Sequence, residues 1–153
     1  MEKSEITETQ SQPVKAPWHL WLVGIFSLLW SSMGALDYVM TQSGNEDYMS
    51  RFTAEQLEYF YSFPSWIIAL WACAVWGGVA GGILLLLRKK IASWVFLFSL
   101  LCMLLTTMRN YGFAGGLEVA GDTFSLVFTA VIFLLSLAFF LYARMMQGRG
   151  VLR

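Results

Sequence analysis

Charge is what this chain is short of. Only 13% of its 153 residues are Asp, Glu, Lys or Arg, about half the share found in an average soluble domain. The charges that are present cancel, so the basic excess expected of a nucleic-acid-binding chain is missing. Histidine occurs once, at His19, and cysteine twice, at Cys73 and Cys102, with no CxxC spacing. A lone histidine supports neither haem ligation nor a metal centre. Two separated cysteines inside apolar runs read as small packing residues. No metal and no cofactor are expected. A Ser-His-Asp set, HExxH, GxSxG and a phosphate-binding glycine loop are all lacking, so the chain is not expected to be an enzyme. Proline is confined to Pro13, Pro17 and Pro64.

What remains is apolar. Hydrophobic residues make up 58% of the chain and aromatics 16%, with seven tryptophans; the mean hydropathy is +0.61. The length suits a single domain. Four long apolar runs occupy about 18–40, 65–87, 91–111 and 123–143. Each holds roughly the 20 residues that a helix needs to cross about 30 Å of hydrocarbon. None alternates as a strand would, and an isolated span must satisfy its own backbone as a helix. The fold class expected is all-α, an integral membrane four-helix bundle. Residues 1–17 read as a disordered cytoplasmic tail and not as a signal peptide, 18–143 as the transmembrane domain, and 144–153 as a basic cytoplasmic tail.

Orientation follows from Lys and Arg. One side collects Lys3, Lys15, Arg88, Lys89, Lys90, Arg144, Arg149 and Arg153, the other only Arg51 and Arg109. The positive-inside rule then puts both termini in the cytoplasm of a bacterial inner (cytoplasmic) membrane. Trp18, His19 and Trp21 mark one interface, and Tyr59 to Trp66 the other.

The first outer loop, about 41–64, holds a turn-like polar cluster at 43–47 and then Thr53-Ala-Glu-Gln56. The latter has the spacing of a capping box, so a short amphipathic surface helix is expected from Ala54 to about Ser62, ended by Pro64. The second outer connection, 112–122, is glycine-rich and reads as flexible.

Two kinds of packing signal stand out. Ala74, Gly77, Gly78, Gly81 and Gly82 lie at four-residue spacings on the second span, which lets helix backbones approach closely. They suit either packing inside the bundle or the seam of a homodimer. Ser99, Cys102, Thr106 and Arg109 share one face of the third span, and Asp122, Ser125, Thr129 and Ser136 one face of the fourth. These stripes are expected to face each other, as helix glue or as the lining of a polar cavity.

Asp37 is the acid that needs an answer, because an ionisable residue in a span is a functional candidate by default. It lies 19 residues beyond Trp18, and Arg109 lies 18 residues beyond Ile91. Both therefore sit about 27 to 29 Å above the cytoplasmic side, and Asp122 falls at a similar level. Arg109 can bridge Asp37 and Asp122 as a structural staple. The same groups, with Trp30 and Tyr38, can instead form a substrate-binding site for a small solute.

Trp18-His-Leu-Trp21, the run Trp30-Ser-Ser-Met-Gly-Ala-Leu-Asp-Tyr38 with Thr41, Tyr59 to Trp66 and Trp71 to Gly78 resemble a family of short bacterial inner-membrane proteins. The likeness covers Trp18 to about Lys90; Ser31 stands where the family pattern usually has Asn. The resemblance implies four spans and, by the "sugar transporter" label often given to such proteins automatically, small-solute transport. The reading that results is a small-solute transporter or binding protein of the lipid bilayer, expected to work as a homodimer. The alternative is a non-catalytic accessory subunit that holds a membrane protein partner.

Overall fold

A computed structural model describes residues 14–113 and 115–153; most of the expected disordered tail lies outside the described residues. The main elements are α1 (Trp18–Gln42), α2 (Glu46–Met49), α3 (Ala54–Tyr61), α4 (Ser65–Leu86), α5 (Ala92–Gly112), α6 (Gly116–Ala120) and α7 (Thr123–Gly148). Helices α1, α4, α5 and α7 have 25, 22, 21 and 26 residues and are long and apolar enough to cross a membrane. At about 1.5 Å per residue each exceeds 30 Å. The protein is a multi-pass, all-α membrane protein. The two ends of the bundle are called here the loop end, with α2, α3 and α6, and the terminal end.

Proline sets two entries. Pro17 and Pro64 hold extended N-cap positions, and their carbonyls accept the backbone N–H of Leu20 at 3.0 Å and of Ile67 at 2.9 Å. Helix α3 starts at the expected capping box: Thr53 Oγ1 accepts from Gln56 N at 3.2 Å and Gln56 Oε1 from Thr53 N at 3.1 Å. The polar cluster read as a turn also contains α2, capped by Asn45 Oδ1 accepting from Tyr48 N at 2.9 Å. The glycine-rich connection read as flexible includes the short helix α6, packed against α3. The fourth span runs five residues further than its apolar stretch, to Gly148.

Helix α4 is the centre of the bundle, packed against α1 on one side and α5 on the other; α5 in turn packs on α7. The glycine spacing explains this. A Cβ at Gly78 would meet Ser31 Oγ at 2.8 Å, and one at Gly82 would meet the Leu28 backbone at 3.2 Å, both on α1. A Cβ at Gly77 would meet Ser99 Cβ at 3.0 Å, and one at Gly81 the Phe96 ring at 2.7 Å, both on α5. Ser99 Oγ adds a hydrogen bond to the Ala74 carbonyl at 2.5 Å. The small residues are therefore spent on two seams inside the chain, and none of these four glycines is left open for a second copy. Helices α1 and α7 meet mainly through rings: Phe26 with Phe139 at 6.0 Å and Trp30 with Phe128 at 6.3 Å between centroids.

The buried apolar cluster lies at the terminal end, where Leu20, Leu85, Phe96, Phe139, Met146 and Leu152 converge. Val151 and Leu152 dock into it, 3% and 0% exposed, so the segment that reads as a basic tail is in part core. Arg88 fastens them. Its Nε donates to the Val151 carbonyl at 3.0 Å, its Nη2 to the Val14 carbonyl at 2.7 Å, and its own carbonyl accepts from Arg153 N at 2.6 Å. Arg88 also ends α4 in the left-handed region, φ 58°, with Lys89 N bonded to Leu84 O at 2.9 Å. That is a helix C-cap position that normally takes glycine.

Two predictions follow from these contacts. Gly82→Leu should lower the stability of purified protein by about 1–3 kcal/mol or more through overpacking, read as a fall in melting temperature, whereas Ala80→Leu on the exposed face should leave it unchanged. Arg88→Gly relieves a left-handed residue, worth about 1 kcal/mol, but removes two hydrogen bonds from a charged group, worth about 1.5–3 kcal/mol each. The variant should therefore melt lower; a higher melting temperature would mean that the clamp contributes nothing.

Candidate functional site

The two halves of α4 differ, and the site lies beyond the last of its glycines. Toward the loop end α4 carries Trp71, whose ring packs edge-on to Tyr38 of α1 at 5.0 Å. Bulk here replaces the close approach enforced by Gly77 to Gly82, and a cavity of about 260 Å³ opens between α1, α4 and α5. Its polar lining comes from Asp37 and Thr41 on α1 and from Thr106 and Asn110 on α5. The aromatic lining comes from Phe52, Tyr59, Phe60 and Phe63 of the long loop, with Trp71 and Tyr111. Helix α6 closes the rim: Gly116 lies so near the Asn110 carbonyl and Tyr59 Oη that no side chain fits there.

Asp37 is half-buried, and its partner is not the expected arginine. Tyr48 Oη on α2 donates to Asp37 Oδ1. Burial, and then this hydrogen bond, push the Tyr48 phenol up to about 12, against the opposing pull of Arg51, whose guanidinium stands 5.8 Å from the ring centroid. Tyr48 thereby ties the loop to the end of α1. Tyr59 Oη donates to the Asn110 carbonyl at 3.4 Å, tying α3 to α5; burial raises its phenol too, with Arg109 working in the other direction.

Arg109 does not staple three helices together. Its guanidinium lies over the Phe63 ring, 5.6 Å from the centroid, and its Nη1 is buried without a hydrogen-bond partner. The ring face supplies part of the missing stabilisation. Asp122 is exposed and serves its own helix: it caps α7, accepting from Ser125 N at 3.1 Å and from Ser125 Oγ at 2.6 Å. The Ser125 hydroxyl, followed by the Ser125 backbone N–H, holds its carboxyl below the usual carboxylate range. Trp30 packs between Phe26 and Phe128, and Tyr38 against Trp71; neither is among the residues lining the cavity. Of the five residues expected in a solute site, the structure brings only Asp37 to the wall.

The hydroxyl stripes do not face each other as a shared lining. Ser99 bonds to α4, Thr106 Oγ1 to the Cys102 carbonyl at 2.9 Å, and Ser136 Oγ to the Ile132 carbonyl at 2.8 Å. The last two are the local i−4 bonds that hydroxyls make in lipid. Links do cross from α5 to α7, between Tyr111 Oη and Thr129 Oγ1 at 3.1 Å, from Ser136 Oγ to Met103 Sδ at 3.8 Å and from Ser93 Oγ to Gln147 Oε1 at 2.6 Å, but none of the three joins one stripe to the other. The cavity residues that sequence reasoning missed are mostly aromatic. Part of their signal, the rings from Tyr59 to Trp66, reads in the sequence as interface anchoring. Asn110 went unremarked, yet it lines the cavity and its Oδ1 is buried without a partner.

The phenol of Tyr48 gives a pH test. Its value in the folded protein lies above the ordinary tyrosine value of about 10, so the neutral form is favoured by folding. The stabilisation is complete below the ordinary value and is lost as pH rises through about 12. In a difference titration at the tyrosinate absorption band, wild type minus Tyr48→Phe should show a phenol still un-ionised at about pH 11. Ionisation at the ordinary value would contradict the Asp37 contact.

No protein-family profile, no curated protein and no solved structure matches this chain.

Proposed function

We propose that this membrane protein binds a small polar solute at the loop end, as the binding step of small-solute transport. The observation that carries the reading is the cavity itself: Asp37 and Asn110 stand in its wall among aromatic rings, and Asn110 Oδ1 has no partner within the protein. Small-molecule sites are commonly concave and mostly apolar, with a few polar groups that fix orientation. The volume suits a small molecule better than a drug-sized one. Below the cavity the close glycine contacts of α4 leave the bundle shut, which fits a carrier in a state open toward one side.

The excess of Lys and Arg at the terminal end supports placing that end in the cytoplasm. The cavity then opens outward, in a bacterial inner membrane. The likeness of the Trp30 to Tyr38 segment to short four-span proteins labelled as sugar transporters points the same way. No group in the cavity requires a cofactor, and the reading involves no chemical step on the solute.

Purified wild-type protein should gain thermal stability from at least one class in a panel of polyols, amino acids, organic anions and organic cations. Thr106→Phe, which fills the cavity, should abolish the gain while the protein stays folded. A panel without effect, or an equal gain in Thr106→Phe, would rule the reading out.

A further inference from the structure

We propose that the loop-end cavity takes a small organic ammonium ion, held by the Asp37 carboxyl inside an aromatic cage. This deepens the small-solute reading above and rests on it. The argument begins with what lines the cavity. Six lining residues are aromatic, namely Phe52, Tyr59, Phe60, Phe63, Trp71 and Tyr111; the one ionisable group with a carboxyl is Asp37, and no Lys, Arg or His is among the described lining residues. Ring faces carry the negative end of a quadrupole and attract cations, most strongly when water is excluded; clustered rings are the usual receptors of quaternary ammonium groups. A site for an organic anion would need the opposite, a basic side chain or backbone N–H groups facing inward.

The polar atoms agree. The hydroxyls of Tyr59, Thr106 and Tyr111 are engaged with Asn110 O, Cys102 O and Thr129 Oγ1. A sugar, which needs many donors and acceptors around its ring, would find these three hydroxyls already engaged. What is left over in the lining is the Asp37 carboxyl, the Thr41 hydroxyl and the Asn110 amide, of which only Asp37 is ionisable; the unpartnered Nη1 of Arg109 belongs to a residue outside the lining. Arg109 is not part of the lining; it already rests on the Phe63 ring, an example within the site of the same cation–ring attraction. Tyr48 orients the Asp37 carboxyl by its hydrogen bond to Oδ1 without neutralising its charge.

Longer-range electrostatics favour the same ligand. Seven of the ten acids lie at the loop end, in 37–58 and 118–122, with only Arg51 and Arg109 to balance them. A negative field around an opening raises the local concentration of cations and their rate of entry, and salt screens it.

The test uses full-length protein in detergent, with choline as probe and its uncharged carbon isostere, 3,3-dimethylbutan-1-ol, as control. Isothermal titration calorimetry reads binding, so that the readout survives the replacement of Trp71, the tryptophan of the wall. Choline should bind at least roughly tenfold more tightly than the isostere, and its affinity should fall as salt is raised. Asp37→Asn and Trp71→Leu should each weaken choline binding by roughly tenfold while circular dichroism stays helical. If either variant does not fold, the comparison of choline with its isostere on wild type still decides. Equal binding of the two probes would overturn the proposal. So would binding of a sugar, an organic anion or glycine betaine without choline, and in that case the broader small-solute reading survives. If no probe of any class binds, both readings fall together.

Discussion

The bundle is organised by a steric constraint on one helix. α4 touches both α1 and α5, and it can do so closely only where it has no side chains. Gly78 and Gly82 admit the Ser31 side chain and the Leu28 backbone of α1; Gly77 and Gly81 admit Ser99 and Phe96 of α5. In lipid there is no hydrophobic drive to press helices together, so such close packing is the main attraction available. The glycines of α4 end at Gly77, and the closest approaches end with them. Beyond them Trp71 stands on α4, with its ring packed on Tyr38 of α1. The cavity is a consequence of this change in residue size along a single helix.

The polar chemistry of the loop end follows from the opening. An acid at Asp37 would be costly in a sealed bundle, but here it stands half-buried in a cavity wall and accepts from Tyr48. That hydrogen bond and the one from Tyr59 to the Asn110 carbonyl fix the long loop over the opening at two points, one on α1 and one on α5. The loop therefore acts as wall as well as connection, and it supplies Phe52, Tyr59, Phe60 and Phe63 to the lining. The opposite end is closed by different means: an apolar cluster in which Leu20, Leu85 and Leu152 are fully buried, and an arginine, Arg88, that accepts an unfavourable backbone conformation in order to bind two chain segments at once.

Much of this was legible in the sequence. Four spans, the capping box at Thr53 and Gln56, and close packing along Ala74 to Gly82 are properties of local composition and spacing, and local physics sufficed for them. The candidate site was legible only at Asp37. Counting residues placed Asp37, Arg109 and Asp122 at one depth, but depth does not fix azimuth, and the three side chains turn to different neighbours. Asp122 is better placed to cap its own helix than to reach across the bundle, since an N-cap partner is always three residues away. Arg109 finds a ring where a carboxylate was expected. Tyr48 could not be paired with Asp37 from sequence, because its position depends on how α2 folds back over α1. Leu152 read as tail because nothing in a short basic stretch signals that the segment turns back at Gly150 to enter the core.

The central claim is that the loop end is open to a polar solute while the glycine seam of α4 is sealed. Accessibility to a small, positively charged, thiol-specific methanethiosulfonate reagent tests it most directly. In a background with Cys73 and Cys102 replaced by Ala, single cysteines at Thr106, in the cavity wall, and at Ser99, in the seam with Ala74, would be compared in native membranes. The account predicts rapid modification of Thr106→Cys and protection of Ser99→Cys. Equal protection of both, or equal reaction at both, would contradict it.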